Sequence, residues 1–297
     1  MKLLRIGEAS SEQPAALAPE LDTLTDEILV VEIADVLLAE GFRDFDGHWF
    51  ASRGLERLAP VVAKRIAAGD VHPLGARRIG APIARPHQII CVGLNYSDHA
   101  VESGMPVPDE PILFTKSPNT IVGPNDDVIM PRGATKLDWE VELGIVIGRR
   151  TSYLTSREQA AASIAGYVLV NDVSERSFQL ERGGQWLKGK SAETFNPTGP
   201  WLATPDEVDV MSLGMSLDVN GERRQSGSTA TMVFDPLTIV QYISQFLVLE
   251  PGDLINTGTP PGVGLGMTPP TYLKVGDKMT LAVDGLGTQQ QTVAAPR

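Results

Sequence analysis

Lys136-Leu-Asp-Trp-Glu-Val-Glu-Leu-Gly144, running on into Ile145-Val146-Ile147, is the stretch on which the fold turns. On a β-strand, with its two-residue period, Asp138, Glu140 and Glu142 share one face and Leu137, Trp139, Val141 and Leu143 the other. Like charges stacked along one strand face repel. Two readings accommodate them. One is an exposed edge strand blunted by charge; the other is a face held by something positive, for which a divalent cation is the economical choice.

Downstream, residues 167–170 predict a buried strand ending in Asn171-Asp172, a strand terminus from which a third metal ligand can be delivered. Arg176 and Gln179 follow four and seven residues beyond Asp172, and on a helix starting there they point with it toward one site. Arg176 either forms a plain salt bridge or grips a substrate carboxylate with both arms. Gln185-Trp-Leu-Lys-Gly-Lys-Ser191 carries two lysines, either solvated or, near an anionic intermediate, electrostatic stabilisers.

Upstream, Gln88-Ile-Ile-Cys-Val92 reads as a buried strand ending at Gly93, followed by Asn95-Tyr-Ser-Asp-His-Ala-Val-Glu102. Asn95 or Ser97 can cap a short helix on which His99 and Glu102 share a face. A carboxylate so placed fixes the imidazole tautomer and raises its basicity, as a general base requires. The same spacing also describes an ordinary exposed pair worth about a few tenths of a kilocalorie. Gly262, Gly264 and Gly266 look superficially like a dinucleotide loop, but prolines surround them and no helix follows, which excludes a Rossmann site. A loop laying the Thr259 hydroxyl and backbone amides beside an anionic group fits better.

Elsewhere the pattern predicts helices over 27–39, 55–68, 156–165 and 234–247. It predicts strands over 2–6, 111–116, 128–130, 273–283 and 287–293, and a hairpin turning at Asn220-Gly221. Residues 74–86, rich in glycine and proline, read as a linker, so the chain divides into a small α+β unit at 1–75 and a larger one at 76–297. The 29 glycines and 22 prolines fall between short apolar runs, the mark of a turn-rich β architecture.

A net charge of −12 with no basic block argues against a nucleic-acid partner. No stretch approaches the roughly 20 apolar residues of a spanning helix, and Gly7-Glu8 interrupts the basic start before a signal-type run forms, so a cytoplasmic protein is expected. Cys91 is the only cysteine, which precludes an intrachain disulfide.

Taken in order, Gly93-Leu-Asn-Tyr-Ser-Asp-His-Ala-Val-Glu102, Glu140-Val-Glu142, Asp172 with Arg176 and Gln179, Lys190-Ser191, Asn220-Gly-Glu and Gly252-Asp-Leu-Ile-Asn-Thr-Gly-Thr259-Pro-Pro-Gly-Val-Gly resemble the fumarylacetoacetate hydrolase family from about residue 88 to 293. The resemblance implies a β-rich α+β fold with a rolled mixed sheet. It implies Mg²⁺ or Mn²⁺ held by Glu140, Glu142 and Asp172, and a homodimer or higher homo-oligomer. His99, Glu102 and Lys190 take catalytic roles under it, and Arg176, Gln179 and Thr259 hold the substrate. The start Met1-Lys-Leu-Leu-Arg-Ile-Gly7, Thr115-Lys-Ser-Pro-Asn119, Gln185–Ser191 and Gly264-Leu-Gly-Met-Thr-Pro-Pro270 are similar to a subgroup cleaving 2,4-diketo-3-deoxy-L-rhamnonate or L-fuconate. The expected activity is hydrolysis of the C–C bond of a small 2,4-diketo acid to pyruvate and L-lactate. The alternatives are a 2-oxo acid decarboxylase or isomerase on the same scaffold, and a non-catalytic metal-binding protein.

Overall fold

The acidic stretch is not one strand but two. Leu137–Asp138 pairs with Ser174–Glu175, the chain breaks at Trp139 and Glu140, and Val141–Ile147 then runs through the centre of the main sheet. The computed structural model describes residues 1–18, 28–98 and 107–297. Both faces of Val141–Ile147 are buried, which removes the exposed-edge reading. Gly144 sits where a side chain would press on Val168 and Val170 of the neighbouring strand.

Among the described residues the main sheet has eleven strands. Val141–Ile147 is antiparallel to Ile164–Asn171 on one side and to Leu254–Asn256 on the other. Leu254–Asn256 pairs in parallel with Ile89–Gly93, which pairs antiparallel with Ile112–Lys116, so the sheet is mixed. A five-stranded sheet packs beside it, built from Glu222–Ser228, Gly214–Val219, Lys278–Val283, Gly287–Ala294 and Val128–Ile129. Buried amides fasten the two sheets together. Gln291 Oε1 accepts from Asn171 Nδ2 (3.0 Å), Gln289 Nε2 donates to Leu169 O (2.8 Å), and Gln225 Oε1 accepts from Val141 N (3.0 Å). Each satisfies a polar group that the packed sheets shut away from water.

The amino-terminal residues continue the main sheet. Lys2–Ile6 pairs with Leu202–Ala203, and Ile79–Gly80, inside the expected linker, pairs with Lys2–Ile6. The hydrogen-bonded ladder therefore crosses the expected 75/76 division.

Several predicted elements need correction. Within 27–39, Leu29–Glu32 is a strand and only Ala34–Ala39 is helical, while Glu27 lies outside the described residues. The β-branched pair Val30-Val31 is held between two partner strands, where such side chains pack well. The helix after Asp172 begins later, as Arg176–Leu180, because the Glu175 side chain accepts from Ser177 N and caps it there. Pro236–Ile243, capped by Asp235, stops short of Phe246 and Leu247, whose side chains are exposed rather than part of an apolar stripe. Lys278–Val283 begins after a turn that occupies the front of the predicted 273–283 strand. The hairpin matches: Asn220 and Gly221 both take positive φ, +53° and +78°, as a type I′ turn requires.

Candidate active site

Val141↔Asn171 and Glu142↔Val170 are paired in the sheet, which sets the end of Ile164–Asn171 beside the start of Val141–Ile147. Asp172 N donates to Glu140 O (2.9 Å), locking the two acidic residues together across the strand break. One carboxylate oxygen each from Glu140, Glu142 and Asp172 lies within 4.8 Å of the others, and all three side chains are buried.

Three cations surround this group. Lys190 Nζ bridges Glu140 Oε2 (2.7 Å) and Asp172 Oδ2 (2.9 Å). Lys116 Nζ donates to Asp172 Oδ1 and to Val173 O (3.1 Å). Arg176 donates through Nε to Asp138 Oδ2 (2.8 Å), contacts Glu140 Oε1 through Nη2 (2.6 Å), and reaches Gln179 Oε1 through Nη1 (3.1 Å). Asp138 also accepts from the amides of Gly264 (2.6 Å) and Leu265 (3.0 Å). Its carboxylate is satisfied by protein donors and stands apart from the three-acid group. The glycine-rich loop does lay amides beside anions, but the anions are the protein's own: Gly258 N donates to Glu142 Oε2 (2.8 Å). Gly258 has φ +96°, a conformation that glycine adopts without strain.

Glu142 differs from its neighbours. Among the described residues no cation pairs with it. Burial first, and then the negative charges of Asp172 and Glu140, push its carboxyl well above the ordinary glutamate range. Burial acts on Glu140 the same way, but Lys190 and Arg176 outweigh it and hold that carboxyl at about 2. An all-carboxylate donor set, buried and with one member lacking a cation, suits a hard divalent ion such as Mg²⁺ or Mn²⁺.

The group opens into a cavity of about 530 Å³. Glu140, Glu142, Arg176, Gln179 and Lys190 provide its charged and polar lining, and Leu94, Phe114, Leu180, Trp186, Leu265 and Met267 much of the apolar remainder. Thr259 also lines it, with its hydroxyl engaged: Oγ1 donates to Val141 O (2.9 Å) and accepts from Gln225 Nε2 (2.8 Å). Six of the nine residues expected at the site therefore line one cavity, and a seventh, Asp172, stands in the carboxylate group with two of them. The other two, His99 and Glu102, lie outside the described residues. Leu94, five residues before His99, lines the cavity, and Asn95 fixes the chain there by donating to Thr257 O (2.8 Å) and accepting from Phe234 N (2.8 Å).

Lys116 escaped the sequence reading. Its signal was weak but present: Phe114 and Lys116 share a face of Ile112–Lys116 by two-residue alternation, and Phe114 lines the cavity. No helix of the described residues is long and apolar enough to cross a membrane.

Four likenesses to known proteins bear on this arrangement. A 2,4-didehydro-3-deoxy-L-rhamnonate hydrolase of Sphingomonas sp. (strain SKA58) is 52% identical over 261 residues, 86% of this chain and 91% of the relative. The solved structure of a fumarylacetoacetate hydrolase from psychrophilic Exiguobacterium antarcticum aligns with TM-score 0.82 and 34% identity, covering 99% of each chain. That of a maleylpyruvate hydrolase from Sphingobium sp. SYK-6, in complex with manganese(II) and pyruvate, aligns with TM-score 0.78 and 25% identity over the full length of both. The fumarylacetoacetate (FAA) hydrolase C-terminal family profile matches residues 88–294, and with the carboxylate group, its lysines and the cavity all inside that span, the chain belongs to the fumarylacetoacetate hydrolase family.

Proposed function

We propose that the protein hydrolyses the C3–C4 bond of a 2,4-dioxo acid, with 2,4-diketo-3-deoxy-L-rhamnonate or its L-fuconate counterpart as the best candidate substrate. The observation that carries this reading is the buried Glu140–Glu142–Asp172 group, one acid of which lacks a cation among the described residues, opening into a cavity that Lys190 and Arg176 also line. The Sphingomonas relative supports the substrate class, and the manganese- and pyruvate-bound hydrolase supports the cofactor class.

Glu140, Glu142 and Asp172 would hold Mg²⁺ or Mn²⁺, which when bound supplies Lewis-acid stabilisation of enolate charge. His99, oriented by Glu102, takes a proton from water as the water oxygen adds to the C4 carbonyl. The C3–C4 bond then breaks and leaves its electron pair on C3, giving pyruvate enolate and the acyl carboxylate, here L-lactate. The enolate takes up a proton to become pyruvate. Lys190 offsets the negative charge that develops. Arg176 occupies the Gln179 carbonyl oxygen, which turns the Gln179 amide nitrogen into the donor for a substrate carboxylate. Thr259 braces Val141 at the cavity wall rather than offering its hydroxyl.

A homo-oligomer belongs to the same proposal, and a monomeric mass by light scattering would remove that part. The central test is a panel of 2,4-dioxo acids with a coupled pyruvate assay, with and without chelator. Pyruvate plus lactate from the rhamnonate derivative, abolished by chelation, is the expected result. Release of CO₂, or an isomer without pyruvate, would replace hydrolysis by decarboxylation or isomerisation. His99→Ala is expected to retain the metal and lose turnover; a near-normal rate would remove the general-base role.

A further inference from the structure

The cavity's charges are all on one account. Arg176 and Lys190 are the lysine and arginine residues among its described lining, and both are committed: Arg176 to Asp138, Glu140 and Gln179, Lys190 to Glu140 and Asp172. Lys116, behind them, is committed to Asp172 and Val173. The segments outside the described residues, 19–27 and 99–106, contain no lysine or arginine. His99 is the general base in the reading above and acts in its neutral form.

Apart from Gln179, Thr259 and Thr268, the rest of the lining offers apolar side chains and glycines. The Phe114 and Trp186 rings meet edge-on, with centroids 5.1 Å apart at 67°. Gly93 makes room for Trp186, since a Cβ there would stand 2.8 Å from its ring. Leu94, Leu180, Leu265 and Met267 continue the surface. A carboxylate pressed against such a wall loses hydration and gains no cation in return.

We infer that the substrate carries one carboxylate only, at its 2-oxo acid end, and that its other end is uncharged and read by the apolar lining around Phe114 and Trp186. This rests on the 2,4-dioxo acid reading and narrows it: dioxo acids with a second, distal carboxylate are excluded, and those ending in an alkyl or hydroxyalkyl group are admitted. The discrimination comes from an unpaired charge rather than from size, and such discrimination is steep.

Binding of two unreactive 2-oxo acids to the full-length protein with Mg²⁺, measured by calorimetry, tests it. The acids are 2-oxohexanoate and 2-oxoadipate, which share six carbons and differ by the distal carboxylate. 2-Oxohexanoate is expected to bind about tenfold tighter or more. Leu265→Arg places a guanidinium on the lining, from a side chain 38% exposed, and should shrink that ratio about tenfold by tightening 2-oxoadipate. Leu180→Arg, also at an exposed part of the lining, is the second variant should the first fail to fold. Equal affinities, tighter 2-oxoadipate, no binding of either acid, or a ratio that neither arginine moves overturns the inference. Turnover plays no part in the measurement, so a charge preference can hold where pyruvate release fails, and the converse.

Discussion

Two clusters of charge in this molecule use similar residues to opposite ends. Near the amino terminus, Arg5 grips Asp44 through Nε and Nη2 (both 2.7 Å), Arg78 grips Asp126 through Nε (2.8 Å) and Nη2 (2.5 Å), and Glu12 lies between the two guanidinium groups. Every carboxylate there touches a guanidinium, and the cluster is partly open to water. In the centre, Asp138, Glu140, Glu142 and Asp172 face Lys116, Arg176 and Lys190, all buried, and among the described residues Glu142 touches no cation. A fully paired cluster closes on itself and acts as a clasp. A buried one with an acid left over has a use for a cation from outside.

The comparison breaks first at Glu142. Glu142→Gln should abolish Mg²⁺ or Mn²⁺ binding by calorimetry and lower pyruvate release on the order of 10³-fold. The metal-free protein should meanwhile be no less stable to urea, because the amide relieves a buried, unpaired carboxylate. Metal binding that survives the substitution would reduce the centre to a second clasp.

Lys116→Met should cost about 3 kcal/mol in urea unfolding, since it takes the donor from the buried Asp172 Oδ1 and leaves only Lys190, on Oδ2, to offset that carboxylate. Arg78→Met, in the part-exposed clasp, should cost roughly 1 kcal/mol. Similar costs for the two would erase the distinction between the clusters.

Mg²⁺ at about 100 times its dissociation constant should stabilise the wild-type protein by about 2.7 kcal/mol, and Glu142→Gln by nothing measurable. The clasp variant should keep the full response.

The smallest effect lies outside both clusters. Burial tends to raise the Asp235 carboxyl, but Arg157 and the Thr238 amide and hydroxyl outweigh it and hold it below the ordinary value of 3.8. A depressed carboxyl contributes stability above its unfolded value and loses it as pH falls through the folded one. Asp235→Ala should therefore cost about 1 kcal/mol at neutral pH and flatten the acid limb of the stability profile below pH 3.8, without changing metal binding.

How far the site was legible in the chain depends on the kind of signal each residue leaves. Alternation exposed Glu140 and Glu142, because a strand's period is short and charges in an apolar run stand out. Asp172 was legible as the end of a buried run, and Asp235-Pro236 as a cap followed by proline. Lys116 left almost nothing, since one lysine at the end of a strand reads as an ordinary solvated or edge-blunting charge. The 27–39 segment is ambiguous in sequence because Ile28-Leu-Val-Val31 is a continuous apolar run that selects no period, and only pairing with Gln13–Leu17 and His72–Pro73 makes Leu29–Glu32 a strand.

By itself the sequence determined local periodicity, the capping and turn residues, the inventory of acids and the excess of negative charge. These depend on neighbours a few positions apart. The tertiary structure alone decided which acids share a cation and which does not. Asp138, whose place in sequence makes it the equal of Glu140 and Glu142, is removed from the group by Arg176 and the Gly264 and Leu265 amides, 38 and 126–127 residues away. Glu142 is left with one amide, that of Gly258, 116 residues on. Burial multiplies the cost of an unpaired charge, and burial is a property of the packed sheets that no stretch of nine residues contains.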